Sequence, residues 1–317
     1  MKKLFFYNFI IIIFFFFTLE VLLRLFSSIN ELGFDENLID LNSKIRVHNK
    51  NIESKVFGKK VFIDNYGFRV PSLNYNYDKK NSRSILILGD SVSFGVGVEE
   101  KDTFVGLLRT KNPKINFYNS SVVGQNTKDH LNLLKIYNNS IGFEEVLLIY
   151  CLNDIIDISG ILTRKEFYKK NYILSKLNIY LRNKSYLYIF IKSKFTDPQK
   201  RYFDYIEPIY KNPDSFKYSN NLFEKIKEFS VEYNKKITII ILPYEYQTRK
   251  EKCLEKNLLP QLFLKSIFSK NNLEFQDLTI EFCNQRNPSK LFLKYDPGHL
   301  SAYGHNFVFN FLKSVIH

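Results

Sequence analysis

Hydrophobic and polar residues along this chain form blocks that predict strands and helices in turn. Five short apolar runs are rich in isoleucine, leucine and valine and are bounded by polar residues or glycine. Such runs are typical of strands that are buried on both faces of a sheet. The predicted strands are Ser84–Gly89, Ile115–Asn119, Glu145–Tyr150, Lys236–Leu242 and Leu273–Leu278.

Helical patterns lie between and after these strands. Alternating strands and helices are typical of a parallel sheet covered by helices on both faces. The sequence therefore predicts an α/β fold of three layers (α/β/α) around a five-stranded parallel sheet. The predicted helices are Thr103–Thr110, Thr127–Tyr137, Asn221–Tyr233, Pro260–Ser269 and Ala302–Val315.

The most apolar stretch of the chain follows Lys2 and Lys3. The run Leu4–Leu23 has the roughly 20 apolar residues that a bilayer core requires. Glu20 and Arg24 are one helical turn apart and can pair at the membrane interface. No small-residue cleavage motif follows, so we expect an uncleaved signal-anchor helix, and a cleaved signal peptide is the alternative. The two lysines predict a single-pass protein with a cytoplasmic N-terminus and an extracytoplasmic domain.

Two regions depart from the alternation of strands and helices. Residues 27–83 are polar and irregular apart from a strand-like island at Lys60–Asp64 and a turn that precedes Arg69. We expect Arg69 to tie this membrane-proximal segment to the domain; binding of an anionic group is the alternative. Residues 158–217 form an insertion whose role stays open between a lid, a membrane-surface element and a packing insertion. The predicted organisation is an anchor at 1–26, a membrane-proximal segment at 27–83 and a domain at 84–317.

Charge and cysteine content change this picture little. The net charge of +14 comes mostly from lysines spread along the chain, without a zinc-finger, RNP-like or helix-turn-helix pattern, so nucleic acid is not an expected partner. None of the cysteines, Cys151, Cys253 and Cys283, forms a C-x-x-C pair, which argues against a zinc or thioredoxin-like site. Cys253 and Cys283 could form a disulfide in an oxidising compartment or remain thiols. We expect no metal or other cofactor.

Ser91 follows the first predicted strand and opens a helix, where open α/β sheets place ligands. A serine nucleophile needs a base, a group that orients the base, and donors for the oxyanion. His299 fits the base, because Asp296 precedes it by three residues in a turn ahead of the last helix. The remaining histidines fit structural or terminal positions: His48, His130, His305 and His317.

Two further stretches follow predicted strands and offer oxyanion donors. Gly124 allows its backbone N–H to approach a ligand, and Asn153 can present a side-chain amide. Taken in order, the motifs resemble those of the SGNH (GDSL) hydrolase family, which implies a flavodoxin-like fold. The matching blocks are Gly89-Asp90-Ser91, Gly124, Asn153-Asp154 and Asp296-Pro297-Gly298-His299.

The resemblance implies a role for each matching residue. Ser91 would be the nucleophile, His299 its base and Asp296 the partner of the base. The oxyanion hole would consist of the N–H groups of Ser91 and Gly124 and the side chain of Asn153. We expect Asp90 only to shape the turn. Cys151 replaces the glycine that usually begins the third block, and its side chain could crowd the pocket or shift the Asn153 amide.

Three hypotheses for function follow from the anchor and this resemblance. The first is a membrane-anchored serine esterase that removes acyl groups, above all acetyl groups, from an extracytoplasmic carbohydrate or lipid. The second is an acyltransferase that uses the same residues and needs a partner to supply activated acyl groups. The third is a non-catalytic glycan-binding or assembly protein on a degenerate hydrolase fold.

Overall fold

The computed structural model describes residues 2–27, 33–78, 83–156, 172–255 and 258–316. Within these ranges, the strands form one sheet of three strands and one of five. The strands are β1 (Ile52–Val56), β2 (Lys59–Ile63), β3 (Arg69–Val70), β4 (Arg83–Gly89), β5 (Ile115–Asn119), β6 (Glu145–Cys151), β7 (Lys236–Leu242) and β8 (Glu274–Asp277).

Helices lie before, between and after the strands of the larger sheet. They are α1 (Lys2–Phe26), α2 (Ser91–Phe94), α3 (Phe104–Lys111), α4 (Thr127–Ser140), α5 (Tyr172–Lys184), α6 (Tyr186–Phe195), α7 (Pro198–Ile206), α8 (Pro213–Glu232), α9 (Lys250–Glu255), α10 (Leu259–Lys270), α11 (Thr279–Cys283) and α12 (Ala302–Val315).

The larger sheet is parallel throughout, with the strand order β5-β4-β6-β7-β8. This is the flavodoxin-like order, in which the chain reverses direction across the sheet beside the first strand. Successive residues of β4 enter two different apolar clusters: Leu86 and Leu88 lie in one, and Ile85 and Ile87 in the other. Both faces of the sheet are therefore covered, and the predicted α/β fold with five parallel strands is confirmed.

The predicted helices are also present, and one is longer than its pattern indicated. Helix α8 begins at Pro213, eight residues before the predicted start, within the predicted insertion. Proline suits the first turn of a helix because its missing N–H would have no partner there. Asn212 caps this end, since its side chain accepts a hydrogen bond from the backbone N–H of Asp214.

The strand predicted at Lys60–Asp64 is present as β2, but the prediction of irregular chain around it is wrong. Residues 52–56 and 69–70 form β1 and β3, and the three strands make an antiparallel sheet in the order β1-β2-β3. Phe57 and Gly58 form the two-residue turn between β1 and β2, and both have positive φ, as a type I′ hairpin turn requires. Val56 and Ile63 pack with Phe94, which follows β4. The small sheet is therefore packed against the α/β domain.

Arg69 takes the structural role that we expected. Its side chain is completely buried, and its guanidinium donates hydrogen bonds to the carbonyl oxygens of Phe94, Gly95 and Val98 at 2.6–2.7 Å. The guanidinium also lies 4.9 Å from the centre of the Phe94 ring. Arg69 thus joins the small sheet to the loop that follows Ser91.

The N-terminal helix α1 is long and apolar enough, from Lys3 to Phe26, to cross a membrane. The predicted pair is present: the Nε of Arg24 donates to Glu20 at 2.8 Å. The described part of the predicted insertion consists mainly of helices α5, α6 and α7 and the start of α8. Residues 158–171 of that insertion lie outside the described residues.

Candidate active site

Ser91 lies at the carboxyl end of β4, in the tight turn that leads into α2. Asp90 caps this short helix, because its Oδ1 accepts a hydrogen bond from the N–H of Val92 at 2.9 Å. Gly89 permits the turn: a Cβ at this position would lie 2.2 Å from the Oγ of Ser93 and 2.8 Å from the carbonyl oxygen of Ile149. The fold thereby places the Ser91 hydroxyl at the carboxyl ends of the parallel strands.

The structure brings Ser91, His299 and Asp296 into one hydrogen-bonded chain. The Oγ of Ser91 lies 2.8 Å from Nε2 of His299, and Nδ1 of His299 lies 2.8 Å from Oδ2 of Asp296. The other oxygen of Asp296 accepts the backbone N–H groups of Gly298, at 3.0 Å, and of His299, at 2.7 Å. The network assigns the imidazole proton to Nδ1 and leaves Nε2 to accept the serine proton.

Electrostatics favour a charged Asp296 beside a basic His299. Burial alone would raise the pKa of the Asp296 carboxyl, but the charge of His299 and its hydrogen bonds outweigh burial and lower this pKa. Burial alone would lower the pKa of the His299 imidazole, but the charge and hydrogen bond of Asp296, with Asp90 nearby, raise it above its ordinary value. The imidazole is thus a stronger base than an isolated histidine.

Asn153 is held at the same edge of the sheet by two side chains. Its Nδ2 donates to Oδ2 of Asp90 at 2.8 Å, and its Oδ1 accepts the hydroxyl of Tyr244 at 2.6 Å. An amide nitrogen carries two hydrogens, so the bond to Asp90 leaves the second for another acceptor. Asp90 therefore does more than shape the turn, which is the role that we expected: it orients the predicted oxyanion donor.

The contact between Tyr244 and Asn153 follows from strand register. Cys151, the last residue of β6, is in register with Leu242, the last residue of β7. Asn153 and Tyr244 each come two residues later, so parallel strands bring them side by side. Tyr244 was not predicted from the sequence. The third strand is predicted to end at Tyr150, one residue before its observed end, and aligning Tyr150 with Leu242 would put Glu245 and not Tyr244 beside Asn153.

Cys151 packs inside the domain. Its side chain belongs to the apolar cluster on one face of the sheet, and its N–H donates to Asp154 at 3.1 Å. Burial, with Asp90 and Asp154 nearby, raises the pKa of the thiol well above its ordinary value. The residue is therefore a neutral thiol, and Asn153 keeps its two hydrogen bonds beside it.

Gly124 lies in the loop after β5, which the N–H of Val122 joins to the carbonyl of Gly89 at 3.3 Å. Its φ of +79° is one that glycine adopts without strain. A Cβ here would lie 2.9 Å from Nε of Arg46, which hydrogen-bonds to the carbonyl of Val123. Arg46, from the region before β1, thus contacts the Gly124 loop. Like Tyr244, it was not among the residues predicted from the sequence.

Phe57 also lies next to the predicted triad and was not predicted from the sequence. Its ring centre lies 5.5 Å from that of His299, with the two rings nearly perpendicular. The turn that carries Phe57 is held by a 2.6 Å hydrogen bond from its N–H to the carbonyl of Gly33. The hairpin β1–β2 therefore covers part of the imidazole.

A cavity of about 1280 Å³ adjoins the turn that carries Asp296 and His299. Lys59, Glu245 and Tyr295 are among its lining residues. A smaller cavity of about 500 Å³ shares Tyr295 with it and extends to Phe195 at the end of α6. None of Ser91, Asp296 and His299 lines either cavity, so the two cavities adjoin the turn without enclosing the predicted triad.

The other described histidines are buried and unsuited to act as a base. Burial lowers the pKa of each to about 3. His305 packs against Phe104, whose N–H donates to its Nδ1 at 3.3 Å. These residues are His48, His130 and His305; His317 lies outside the described residues. Among described side chains, no group of three His, Cys, Asp or Glu residues is placed to bind a metal ion.

No protein-family model and no curated protein matches this chain. Among solved structures, a lipolytic protein of the G-D-S-L family from Veillonella parvula is 13% identical, covering 74% of this chain and 98% of that one (TM-score 0.42). An acetyl xylan esterase is 16% identical (74% and 100%, TM-score 0.44). A lipase/acylhydrolase from Enterococcus faecalis is 14% identical (74% and 95%, TM-score 0.44). At these values the likeness assigns no activity, and the fold class stands on the strand order and register of the sheet itself.

Proposed function

We propose that this protein is a serine esterase of the SGNH type, anchored in a membrane by α1. The observation that carries the proposal is the continuous hydrogen-bonded chain from Asp296 through His299 to the hydroxyl of Ser91. A base held in one tautomer against a serine at the edge of a sheet is the arrangement that activates a nucleophile.

The hydrolysis runs in two halves. The Oγ of Ser91 attacks the ester carbonyl carbon while its proton passes to Nε2 of His299, which then gives that proton to the leaving alcohol. A water molecule next attacks the acyl-serine, gives a proton to His299, and the carboxylic acid leaves as Oγ regains its proton. Asp296 remains ionised throughout and stabilises the imidazolium.

Charge that develops on the carbonyl oxygen needs hydrogen-bond donors already in place. The N–H groups of Ser91 and Gly124 and the second amide hydrogen of Asn153 fill this role in the proposal. The Asp90 and Tyr244 contacts fix the orientation of the Asn153 amide before a substrate binds. Such preorganisation is what makes an oxyanion hole effective.

Two observations support an extracytoplasmic location. Lys2 and Lys3 are the first residues of α1, so the positive-inside rule favours a cytoplasmic N-terminus with the remainder of the chain on the far side of the membrane. Cys253 and Cys283 are joined by a disulfide, which persists in oxidising compartments. We therefore propose an acyl ester, such as an O-acetyl group on a carbohydrate or lipid outside the cytoplasm, as the substrate.

Acyl transfer to a sugar hydroxyl is the second candidate. Phe57 covers part of the imidazole that would activate water, and the adjoining cavity of about 1280 Å³ has room for an acceptor. A transferase would need a partner that supplies activated acyl groups. Product analysis with and without a glycan acceptor distinguishes the two reactions, because only a transferase moves the acyl group to the acceptor.

The test of the proposal compares the full chain with Ser91→Ala in p-nitrophenyl acetate turnover. Loss of the nucleophile should lower kcat about a thousand-fold or more. Ser93→Ala is the matched control, since Ser93 is a buried serine of the same short helix whose hydroxyl has no hydrogen-bond partner within the described residues. Equal rates for wild type and Ser91→Ala, or no labelling of Ser91 by a fluorophosphonate, would refute the proposal and favour the non-catalytic alternative.

A further inference from the structure

Helices α5 and α6 have no part in the proposed chemistry, yet they are attached to the end of α1. The carboxylate of Glu20 accepts the N–H of Tyr186 at 3.0 Å, the N–H of Leu187 at 2.8 Å and the hydroxyl of Ser185 at 2.9 Å. An apolar helix thus uses its single carboxylate to cap the first turn of α6.

Arg24 adds to the same contact. Its Nε donates to Glu20, and its guanidinium lies 4.8 Å from the centre of the Tyr186 ring while bonding to the carbonyl of Lys184. Glu20 and Arg24 come at the end of the Leu4–Leu23 run, where a spanning helix meets the bilayer surface. The start of α6 therefore lies at the level of that surface.

Both helices expose large apolar side chains together with lysines at helical spacing. On α5, Leu177 is 50% and Tyr180 62% exposed, and Lys184 continues the same stripe. On α6, Ile191 is 40% and Phe195 84% exposed. Exposed aromatic and aliphatic side chains beside lysines are typical of helices that lie in a membrane interface.

The charge of this region points to an anionic surface. Between residues 172 and 196 the chain has five basic residues and no acidic one. Basic side chains near a membrane are attracted to anionic headgroups. The charge and the exposed apolar area of α5 and α6 thus both favour a membrane surface with anionic lipids as the binding partner. The contact with α1 brings the two helices next to such a surface.

We infer that α5 and α6 bind the headgroup layer of the bilayer that α1 crosses, with anionic lipids as their ligands. Leu177, Tyr180, Ile191 and Phe195 insert at the acyl boundary, while the lysines contact headgroup phosphates. The inference rests on the membrane anchoring in the proposed function. It assigns the described part of the insertion a lipid-binding role that is separate from catalysis.

The chain contains no tryptophan, so a single introduced tryptophan reports its own surroundings. We would place Phe195→Trp in the full chain in vesicles of phosphatidylcholine and phosphatidylglycerol that carry brominated acyl chains. Tyr233→Trp is the control. Tyr233 is 41% exposed and lies just before the amino end of β7, whereas Ser91 follows the carboxyl end of β4 in the same parallel sheet. Bromine should quench at least half of the tryptophan emission of Phe195→Trp and leave that of Tyr233→Trp unchanged.

Two results would overturn the inference. Emission from Phe195→Trp that bromine leaves unquenched, as in the control variant, means that the helices stay in water. Blue-shifted but unquenched emission means that another protein or a second copy covers them. In a supporting outcome, Lys184→Gln with Lys194→Gln reduces quenching in vesicles that contain phosphatidylglycerol and has less effect in vesicles of phosphatidylcholine alone.

Failure of the inference can be distinguished from failure of the proposed function. Flotation of the full chain with vesicles tests anchoring by α1, and a chain that does not float refutes both the anchoring and the inference. Comparison of the wild-type chain with Ser91→Ala in detergent tests the esterase chemistry without any membrane. Unquenched emission from a Phe195→Trp protein that floats and hydrolyses the ester therefore rejects the lipid contact alone.

Discussion

Asp90 offers a test of how the site is held together. Its two oxygens do different work: Oδ1 caps α2 through the N–H of Val92, and Oδ2 holds the amide of Asn153. Asp90→Ser retains a capping hydroxyl but is too short to reach the amide. The substitution keeps a cap for the turn but removes three contributions of Oδ2: the bond to the Asn153 amide, a 3.3 Å contact with the Ser91 hydroxyl, and a charge that helps raise the pKa of His299. Measuring kcat above the pH at which His299 titrates removes the effect on the pKa of the base from the comparison.

The expected magnitude follows from these contacts. Complete loss of one oxyanion donor costs about 10²–10³ in kcat. Tyr244 still holds the Asn153 amide in Asp90→Ser, so we expect part of that loss, about 10- to 100-fold, or about 1.4–2.7 kcal/mol in activation free energy. Stability should change little, whereas Asp90→Ala should also lose about 1 kcal/mol of capping free energy.

The assay measures kcat for p-nitrophenyl acetate and the free energy of unfolding for both variants. Asp277→Ser is the matched control, because Asp277 makes the same kind of bond, to the N–H of Thr279, where β8 leads into α11, without touching the predicted triad. It should lower stability, because Oδ2 of Asp277 also pairs with Lys265 at 2.6 Å and serine cannot make that pair, without lowering kcat. Wild-type kcat in Asp90→Ser, or equal losses of kcat in Asp90→Ser and Asp277→Ser, would refute the orienting role of Asp90.

Three further predictions address the base, its cover and the disulfide. Asp296 raises the pKa of His299, and only the neutral imidazole accepts a proton, so kcat/KM should rise with pH through a pKa above the ordinary 6.5. In Asp296→Asn this rising limb of the pH profile should move to lower pH. A limb that does not move would contradict the pairing of Asp296 with His299. Phe57→Ala should hydrate the imidazole, move the same limb to higher pH and lower kcat by about tenfold, whereas Phe57→Leu should resemble wild type in a pH profile. Replacing Cys253 and Cys283 with serine should lower the free energy of unfolding by roughly 3–4 kcal/mol, because the disulfide closes a loop of 30 residues and so limits the entropy of the unfolded chain. An unchanged midpoint of urea unfolding would show that the disulfide does not constrain the unfolded chain.

The parallel sheet could be predicted because its strands are covered on both faces. In β7 every residue after Lys236 is buried, which requires a continuous apolar run that few other structures explain. The proposed triad was predicted from local sequence, because Asp296 and His299 share one turn and Ser91 follows the end of a strand. Features that are encoded within a few neighbouring residues could therefore be predicted.

Only β2 of the small sheet was predicted, and its neighbouring strands escaped prediction for physical reasons. Strand β1 exposes Glu53 and Lys55 between buried residues, so its apolar content is low. Its turn is Phe57-Gly58, where a type I′ turn usually has asparagine or aspartate before glycine. The contact of Phe57 with His299 joins residues that are far apart in the chain, and no local pattern encodes such a contact.

The burial of Arg69 determines where this protein can be divided. A fragment that begins at residue 84 would lack the guanidinium that three carbonyl oxygens of the Phe94–Val98 loop bind, and would expose Phe94, which now packs against the small sheet. It would also lack Phe57 and Arg46. A water-soluble fragment for expression should therefore begin before Gly33, whose carbonyl binds the Phe57 turn. Proteolytic cleavage between the two sheets is expected to abolish the proposed esterase activity even though Ser91, Asp296 and His299 remain on one piece.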